Sequence, residues 1–416
     1  MTFAAVALRR HADFHAAEHL SRASRRVRID TYARRKAQRL LKRFFQDATK
    51  SASSYRVLPV FLTTGQSMKL QRMFLQKEFP LNVTLGGNLL PLKAYNPETQ
   101  EKGVLLLTFN ILFRAFHSVF DSDKLRPFYW MVLEPSDDRL EDPAYLLFNG
   151  WDMVLQAGNP RIESMAGALS FNVPSVKLSS SDWVDSDIFH PLPGREKQYD
   201  LIYIANWSRN KRHSLLFSAL TKLPTPLKVV LVGFHWERSR AQIEEEMAKY
   251  GVGSQCEIFE NLPPEEVNRF LNLSRVNLLL SRREGGNRAL YEAMFAGIPS
   301  IVSRTCQGVD SSAINRQTGV LADDDALDQA ILSMLASTGR FAPRQWALQN
   351  SGYSRSTNVL NQCLKELNLA LGQPWSSDIV PKVNRPNLCY KFSTDEEAFQ
   401  PTLQHLARFL RPESKS

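Results

Sequence analysis

The stretch Asn277–Ser303, NLLLSRREGGNRALYEAMFAGIPSIVS, constrains the fold more than any other, because only 27 residues carry the pattern strand, glycine turn, helix, strand. Val276 to Leu280 is a short apolar run without alternation, as expected of a parallel strand covered on both faces. Arg282-Arg283-Glu284 then leads into Gly285-Gly286-Asn287. Glycines there let the backbone approach a ligand and take dihedrals that a Cβ forbids, and Asn287 suits an N-cap. Leu290, Ala293, Met294 and Phe295 recur at helical spacing until Gly297 and Pro299 stop the helix, and Ser300–Ser303 resumes a strand. A helix that starts just after a glycine turn at a strand's carboxyl end offers free N–H groups and a positive dipole end, which is an anion site.

Two carboxylates frame that site, Glu284 before the turn and Glu292 eight residues later. Beside a phosphate cradle they suit sugar hydroxyls, to which they make charge-assisted hydrogen bonds. Spacing alone fits equally an ordinary βαβ unit with solvated acids. The longer run EGGNRALYEAMFAGIP resembles the E-x7-E signature of retaining glycosyltransferases of the GT-B fold, glycosyltransferase family 4. The resemblance implies that Glu284 faces the donor sugar, that Gly285, Gly286 and Asn287 meet sugar and diphosphate, and that Glu292 holds the ribose. Arg288, which opens the helix, is placed with these donor-binding positions.

At 416 residues, 43% of them hydrophobic and 23% charged, the chain has the make-up of a globular protein of two or three domains. It has no run of eighteen apolar residues that would span a bilayer. Its four cysteines lie far apart without a C-x-x-C pair, which argues against zinc and disulfides and for a reducing cytosol. Charge is uneven: residues 1–50 hold thirteen basic residues against four acidic ones, and so carry +9 of the net +10. Apolar residues among RASRRVRIDTYARRKAQRLLKRFF recur at loosely helical intervals. Such a segment suits peripheral contact with an anionic membrane, at the inner face for a cytoplasmic protein, with about 1 kcal/mol for each basic side chain near the surface. A solvated helical extension packing on the main body, or a start codon assigned too early, is the plainer explanation; nucleic acid or a protein partner is a weaker reading.

Along the rest of the chain, YRVLPVFL (Tyr55 to Leu62) reads as a strand emptying into a turn at Gly65, which the resemblance places on the acceptor side and which is equally a bare turn glycine. Val104 to Phe109 and Phe128 to Leu133 read as buried strands. Family members carry a His near the second strand's end; here Glu134 stands there, as an acceptor-side group or as a capping or surface acid, and the nearest histidine is His117 in a helical segment. Val184, Asp185, Phe189 and Pro191 resemble the family's interdomain linker, with Trp183 where glycine is usual. After the strand Tyr199 to Ala205, the family's phosphate-binding Lys falls on Lys211, while its Arg falls on Asn206, which leaves Arg209, or less favourably Arg212, to serve. Gly233 follows the strand Leu227 to Val232, as the family's strand-glycine step does.

The expected architecture is α/β, with two Rossmann-like domains facing across a cleft in the GT-B arrangement and a basic helical N-terminal extension. Its divisions are 1–52 (extension), 53–195 (acceptor domain), 196–345 (donor domain) and 346–416 (helical tail, partly crossing back). The resemblance implies transfer of a sugar from a nucleotide-diphosphate sugar to a hydroxyl of a glycan, lipid-linked or small-molecule acceptor, with retention. Glu284, Lys211 and Arg209 carry the chemistry, and no cofactor or metal is called for. A GT-B epimerase, a phosphorylase, or a non-catalytic nucleotide-sugar-binding scaffold fits the same motifs.

Overall fold

The computed structural model describes residues 88–135, 148, 150–158, 174–385 and 388–411. The expected strand at 55–62, Gly65 and the basic segment lie outside the described residues. Within them, five strands make the first sheet: β1 (Leu89–Lys93), β2 (Gly103–Thr108), β3 (Tyr129–Glu134), β4 (Met153–Gln156) and β5 (Ser175–Val176), side by side in chain order. β1 runs antiparallel to β2, and the other pairs are parallel. Every residue of β1 to β4 is buried, as their unbroken apolar runs require of a sheet covered on both faces. Helix α1 (Asn110–Val119) lays Leu112, Phe113 and Phe116 on one face.

The second sheet is fully parallel and consists of β6 (Tyr199–Ile204), β7 (Val229–Gly233), β8 (Cys256–Glu260), β9 (Ser274–Leu279), β10 (Ser300–Ser303) and β11 (Gly319–Ala322). Successive side chains of β6 divide between two cores. Leu201 and Tyr203 face helices α2 (His213–Leu220), α3 (Arg240–Lys249) and α6 (Leu327–Leu335), whereas Ile202 faces α4 (Pro264–Leu273), α5 (Arg288–Phe295) and α7 (Pro343–Asn350). Each buried aliphatic or aromatic side chain contributes about 1.5–3 kcal/mol, so the two cores hold these helices firmly. The spatial order is β11-β10-β9-β6-β7-β8. The chain winds outward from β6 to β8 and then restarts beside β6 with β9, so the strand order reverses between β6 and β9. A doubly wound sheet binds its ligands outside the carboxyl ends of the strands at such a reversal.

The tail expected to be helical from 346 is interrupted at Ser351-Gly352, and α8 (Tyr353–Ala370) then crosses to the first sheet. There Leu360 and Leu364 pack with Val104, Leu106 and Trp130, and Trp130 Nε1 donates to Asn368 Oδ1 at 2.9 Å. The proline-punctuated tail beyond forms an antiparallel hairpin, β12 (Lys382–Asn384) with β13 (Leu388–Tyr390), and helices α9 (Ser393–Ala398) and α10 (Gln400–Ala407).

This strap corrects the reading of Glu134 as a capping or surface acid. Glu134 ends β3 in the interior, where Lys382 Nζ donates to it at 2.7 Å and Asn384 Nδ2 at 3.3 Å, while the ammonium lies 4.2 Å from the Trp183 ring. Burial pulls the Lys382 ammonium below its ordinary pKa, and Glu134 opposes that. The strap also grips the linker. Burial would raise the Asp185 carboxyl, yet Lys391 and Arg385, at 2.7 and 3.0 Å, hold it below its ordinary range.

Candidate active site

The switch point brings together the loop after β6 and the loop after β9, and one side chain sutures them. Asn210 Nδ2 donates to the Arg283 carbonyl at 2.8 Å, its Oδ1 accepts from Arg283 N at 3.1 Å, and its own carbonyl accepts from Arg282 N at 3.0 Å. Residues Arg209–Lys211 form a single 3-10 turn, which the buried Tyr203 hydroxyl fixes by donating to the Lys211 carbonyl. With both loops fixed, Lys211 Nζ meets Glu284 Oε1 in an ion pair, the two side chains being 15% and 10% exposed. Glu284 is held from its other side as well: its N–H donates to the Gln307 carbonyl at 2.8 Å, and Gln307 N donates back to Arg282 at 2.9 Å. Residues 73 positions apart in sequence thus stand in contact at the crevice where this topology binds ligands.

The glycine turn follows directly. Asn287 caps α5, accepting from Leu290 N at 2.8 Å, and leaves the remaining first-turn amides and the positive dipole end facing the loop. Gly286 has φ +151°, and a Cβ there would meet Ser180 Oγ at 2.9 Å and Ser181 Oγ at 3.2 Å. The positive φ is what favours glycine here, and the serine turn Ser180–Trp183, which follows β5, lies against it. Between the two turns lies a polar cavity of about 250 Å³ whose wall includes Lys177, Asp182, Gly285, Asn287, Asp310 and Arg355. Burial raises the Asp182 carboxyl pKa.

Glu292 lies inside α5, buried, with Arg288 Nε donating to its Oε1 at 2.8 Å. Burial pushes its pKa up, against the pull of Arg288. The Arg288 guanidinium also donates to the Arg385 carbonyl of the strap. The two acids are thus differently held: Glu284 by a cation of another loop, Glu292 by a cation of its own helix.

The remaining sequence-derived positions separate cleanly. Arg212, at φ +53°, is committed, with Nη1 on Asp324 at 2.6 Å, Nη2 on Ser303 at 2.7 Å and Nε on the Leu280 carbonyl. Asn206, where the Arg was sought, closes a turn by accepting from Ser208 N at 3.2 Å. Arg209 is exposed; its N–H donates to Glu237 at 2.9 Å, and its guanidinium has no partner among the described residues. Gly233 is required by packing, since a Cβ would sit 2.2 Å from the Ala205 carbonyl at the end of β6. Glu134 is occupied by Lys382, and Gly65 lies outside the described residues. Sequence reasoning missed Asn210, whose only local signal is an ordinary polar loop residue. Among the described residues, no group of three or more His, Cys, Asp or Glu side chains is placed to hold a metal ion.

Two α/β halves, the second doubly wound with the ion pair and helix start at its switch point, make a GT-B-type architecture. Residues 185–347 match the family Glycosyl transferases group 1, so the chain carries a domain of that group. Over 197 residues it is 24% identical to GDP-mannose:cellobiosyl-diphosphopolyprenol alpha-mannosyltransferase of Xanthomonas campestris, covering 45% of this chain and spanning only 50% of that relative's length. Among solved structures, sucrose-phosphate synthase from Thermosynechococcus elongatus superposes with a TM-score of 0.52 at 17% identity, covering 64% of this chain and 74% of that one. Anabaena Alr3699/HepE in complex with UDP-glucose superposes with a TM-score of 0.50 at 13% identity, covering 64% and 78%. At such identities the structural matches speak for the fold.

Proposed function

We propose that the protein is a retaining glycosyltransferase of family 4, moving a sugar from a nucleotide-diphosphate sugar to a hydroxyl of a glycan, lipid-linked or small-molecule acceptor. The observation that carries this reading is the contact of Lys211 with Glu284 at the switch point, beside the start of α5. The chemical difficulty is charge building on the departing diphosphate. Lys211, the Arg209 guanidinium, which has no partner among the described residues, and the first-turn amides of α5 offset that charge in the transition state. Gly285, Gly286 and Asn287 bring those amides within reach of sugar and phosphate. Glu284 accepts from donor-sugar hydroxyls, and Glu292 from the ribose once Arg288 yields it. Gly233 lets the loop after β7 lie close to the nucleotide. These groups supply the charge stabilisation without a metal, and no side-chain nucleophile is assigned.

The described helices include none long and apolar enough to cross a membrane, and all four cysteines are free thiols, in keeping with work in the cytoplasm, at the inner membrane face where residues 1–50 engage it. The test is transfer from radiolabelled UDP- and GDP-sugars to a lipid-linked or glycan acceptor, with and without a chelator. Wild type is expected to transfer equally in both. Glu284→Gln is expected to lose transfer by about 100-fold or more while keeping its thermal midpoint within a few degrees. Full activity in that variant removes Glu284 from the mechanism, and conversion of the donor without an acceptor replaces transfer by epimerisation.

A further inference from the structure

One backbone torsion in the first half is out of keeping with the residue that carries it. The apolar run from Val104 to Phe109 reads as a single buried strand, yet β2 ends at Thr108, and Phe109 stands 47% exposed at φ +68° and ψ +127°. Positive φ is uncommon outside glycine and asparagine, and for a bulky side chain it is an outlier that the surroundings must enforce. The enforcement is visible here. Phe109 is the sole residue between β2 and α1; its N–H donates to the Glu134 carbonyl at 2.9 Å, and its own carbonyl accepts from Leu112 N at 2.8 Å and Phe113 N at 3.2 Å. Glycine would take up this joint without strain.

The ring is not kept there for packing. Phe113 and Phe116 of α1 enter the core, whereas Phe109 belongs to no buried cluster and makes no ring contact among the described residues. Its position is on the edge of the first sheet that meets the second half. Thr108 and Glu134 pair in register at the carboxyl ends of β2 and β3, and the same edge carries Gly158, after β4, and the serine turn, whose Ser180 lies against Gly286. A strained backbone thus displays a bare aromatic ring on the face turned toward the donor half.

We propose that the Phe109 ring stacks on a sugar unit of a carbohydrate acceptor. The inference rests on the glycosyltransferase reading for the place of the acceptor, but on no residue of the donor site. The C–H face of a pyranose is apolar and flat, so an aromatic ring covers it well, while the hydroxyls at its rim seek polar groups. Phe109 comes with such groups: Thr108, the residue before it, donates through Oγ1 to Asn88 Oδ1 at 3.0 Å, which sets a polar pair beside a lone ring. An acyl chain would need a broader apolar surface.

The experiment compares full-length wild type with Phe109→Tyr, Phe109→Leu and Phe109→Gly on a printed array of glucan, mannan and galactan oligosaccharides, with UDP and GDP titrated into the same proteins by calorimetry. Wild type is expected to hold at least one of these glycans and Phe109→Tyr to match it. Phe109→Leu and Phe109→Gly are expected to bind that glycan at least about tenfold more weakly, at unchanged nucleotide affinity. Leucine keeps the apolar bulk, so a packing role would survive in it; glycine relieves the torsion, so that variant is expected to stay folded. No glycan held by wild type, or equal binding in Phe109→Leu, overturns the stacking role. Absence of UDP and GDP binding in wild type counts against the donor site and is read separately from the array, which alone decides the role of Phe109.

Discussion

Replacing Lys211 by methionine removes the ammonium and keeps the length of the stem. The partner carboxylate of Glu284, only 10% exposed, then faces the crevice without its cation. Exposed pairs are worth about 0–1 kcal/mol, and stripping one partner from a fully buried pair costs about 3–5 kcal/mol. A pair of intermediate burial therefore gives a destabilisation of about 1–3 kcal/mol, read as a lower denaturant midpoint. For ligand binding the loss is one charge-assisted hydrogen bond to a phosphate oxygen, about 1.5–3 kcal/mol, so the Kd for UDP or GDP is expected to rise about 10- to 150-fold in calorimetric titration. Glu284→Gln shifts the balance the other way. It releases Lys211 from a competing carboxylate, so nucleoside diphosphate is expected to bind at least as tightly as to wild type while transfer is lost. The two variants thus move nucleotide affinity in different directions from a single contact. Unchanged affinity in Lys211→Met, or equal weakening in both variants, would refute the assignment of Lys211 to phosphate.

Lys382→Met is expected to destabilise by about 3–5 kcal/mol, because it leaves Glu134 buried without its cation, and adding Glu134→Gln is expected to restore most of the loss; denaturant midpoints of the three proteins decide it. For pH, burial pushes the His213 imidazole down to about 3, with the charges of Arg238 and Lys211 adding to the effect. The folded pKa lies below the unfolded value, so this histidine's contribution is complete above about pH 6.5 and is lost as pH falls toward 3. Urea titrations across that window are expected to show a slope for wild type steeper than for His213→Phe by up to about 1.4 kcal/mol per pH unit, and parallel slopes would exclude proton uptake at His213.

What was legible in the sequence was local. The β9–turn–α5–β10 unit follows from unbroken apolar runs, the i, i+3, i+4 recurrence of Leu290, Ala293 and Met294, and an Asn in capping position, all of which act within a few residues. The Lys211–Glu284 juxtaposition follows once the strand order is known, because a reversal between β6 and β9 puts those two loops side by side. Illegible were the pairings set by distant chain. Nothing near Glu134 reveals that Lys382, 248 residues on, will bury it. Nothing near Asn210 shows that its amide will clasp Arg283. The tail hides its hairpin because three-residue strands are too short to display an alternation.

The same strap bears on how the second acid is used. Arg288 divides its guanidinium between Glu292 and the Arg385 carbonyl, and Arg385 in turn reaches Asp185 in the linker. Helix α5, the linker and the tail are therefore joined through consecutive charged contacts, and a move of one alters the field at the next. With the Arg288 cation at 2.8 Å, the Glu292 Oε1 oxygen is engaged until that cation withdraws. Glu284, in the loop before the helix, is under no such constraint, since its cation comes from the loop after β6, which the proposed function assigns to phosphate. Under the proposed function, the arrival of a diphosphate draws Lys211 away and so releases Glu284, the first acid of the E-x7-E spacing. Glu292 instead depends on the position of Arg288, and so on the strap that the motif does not include.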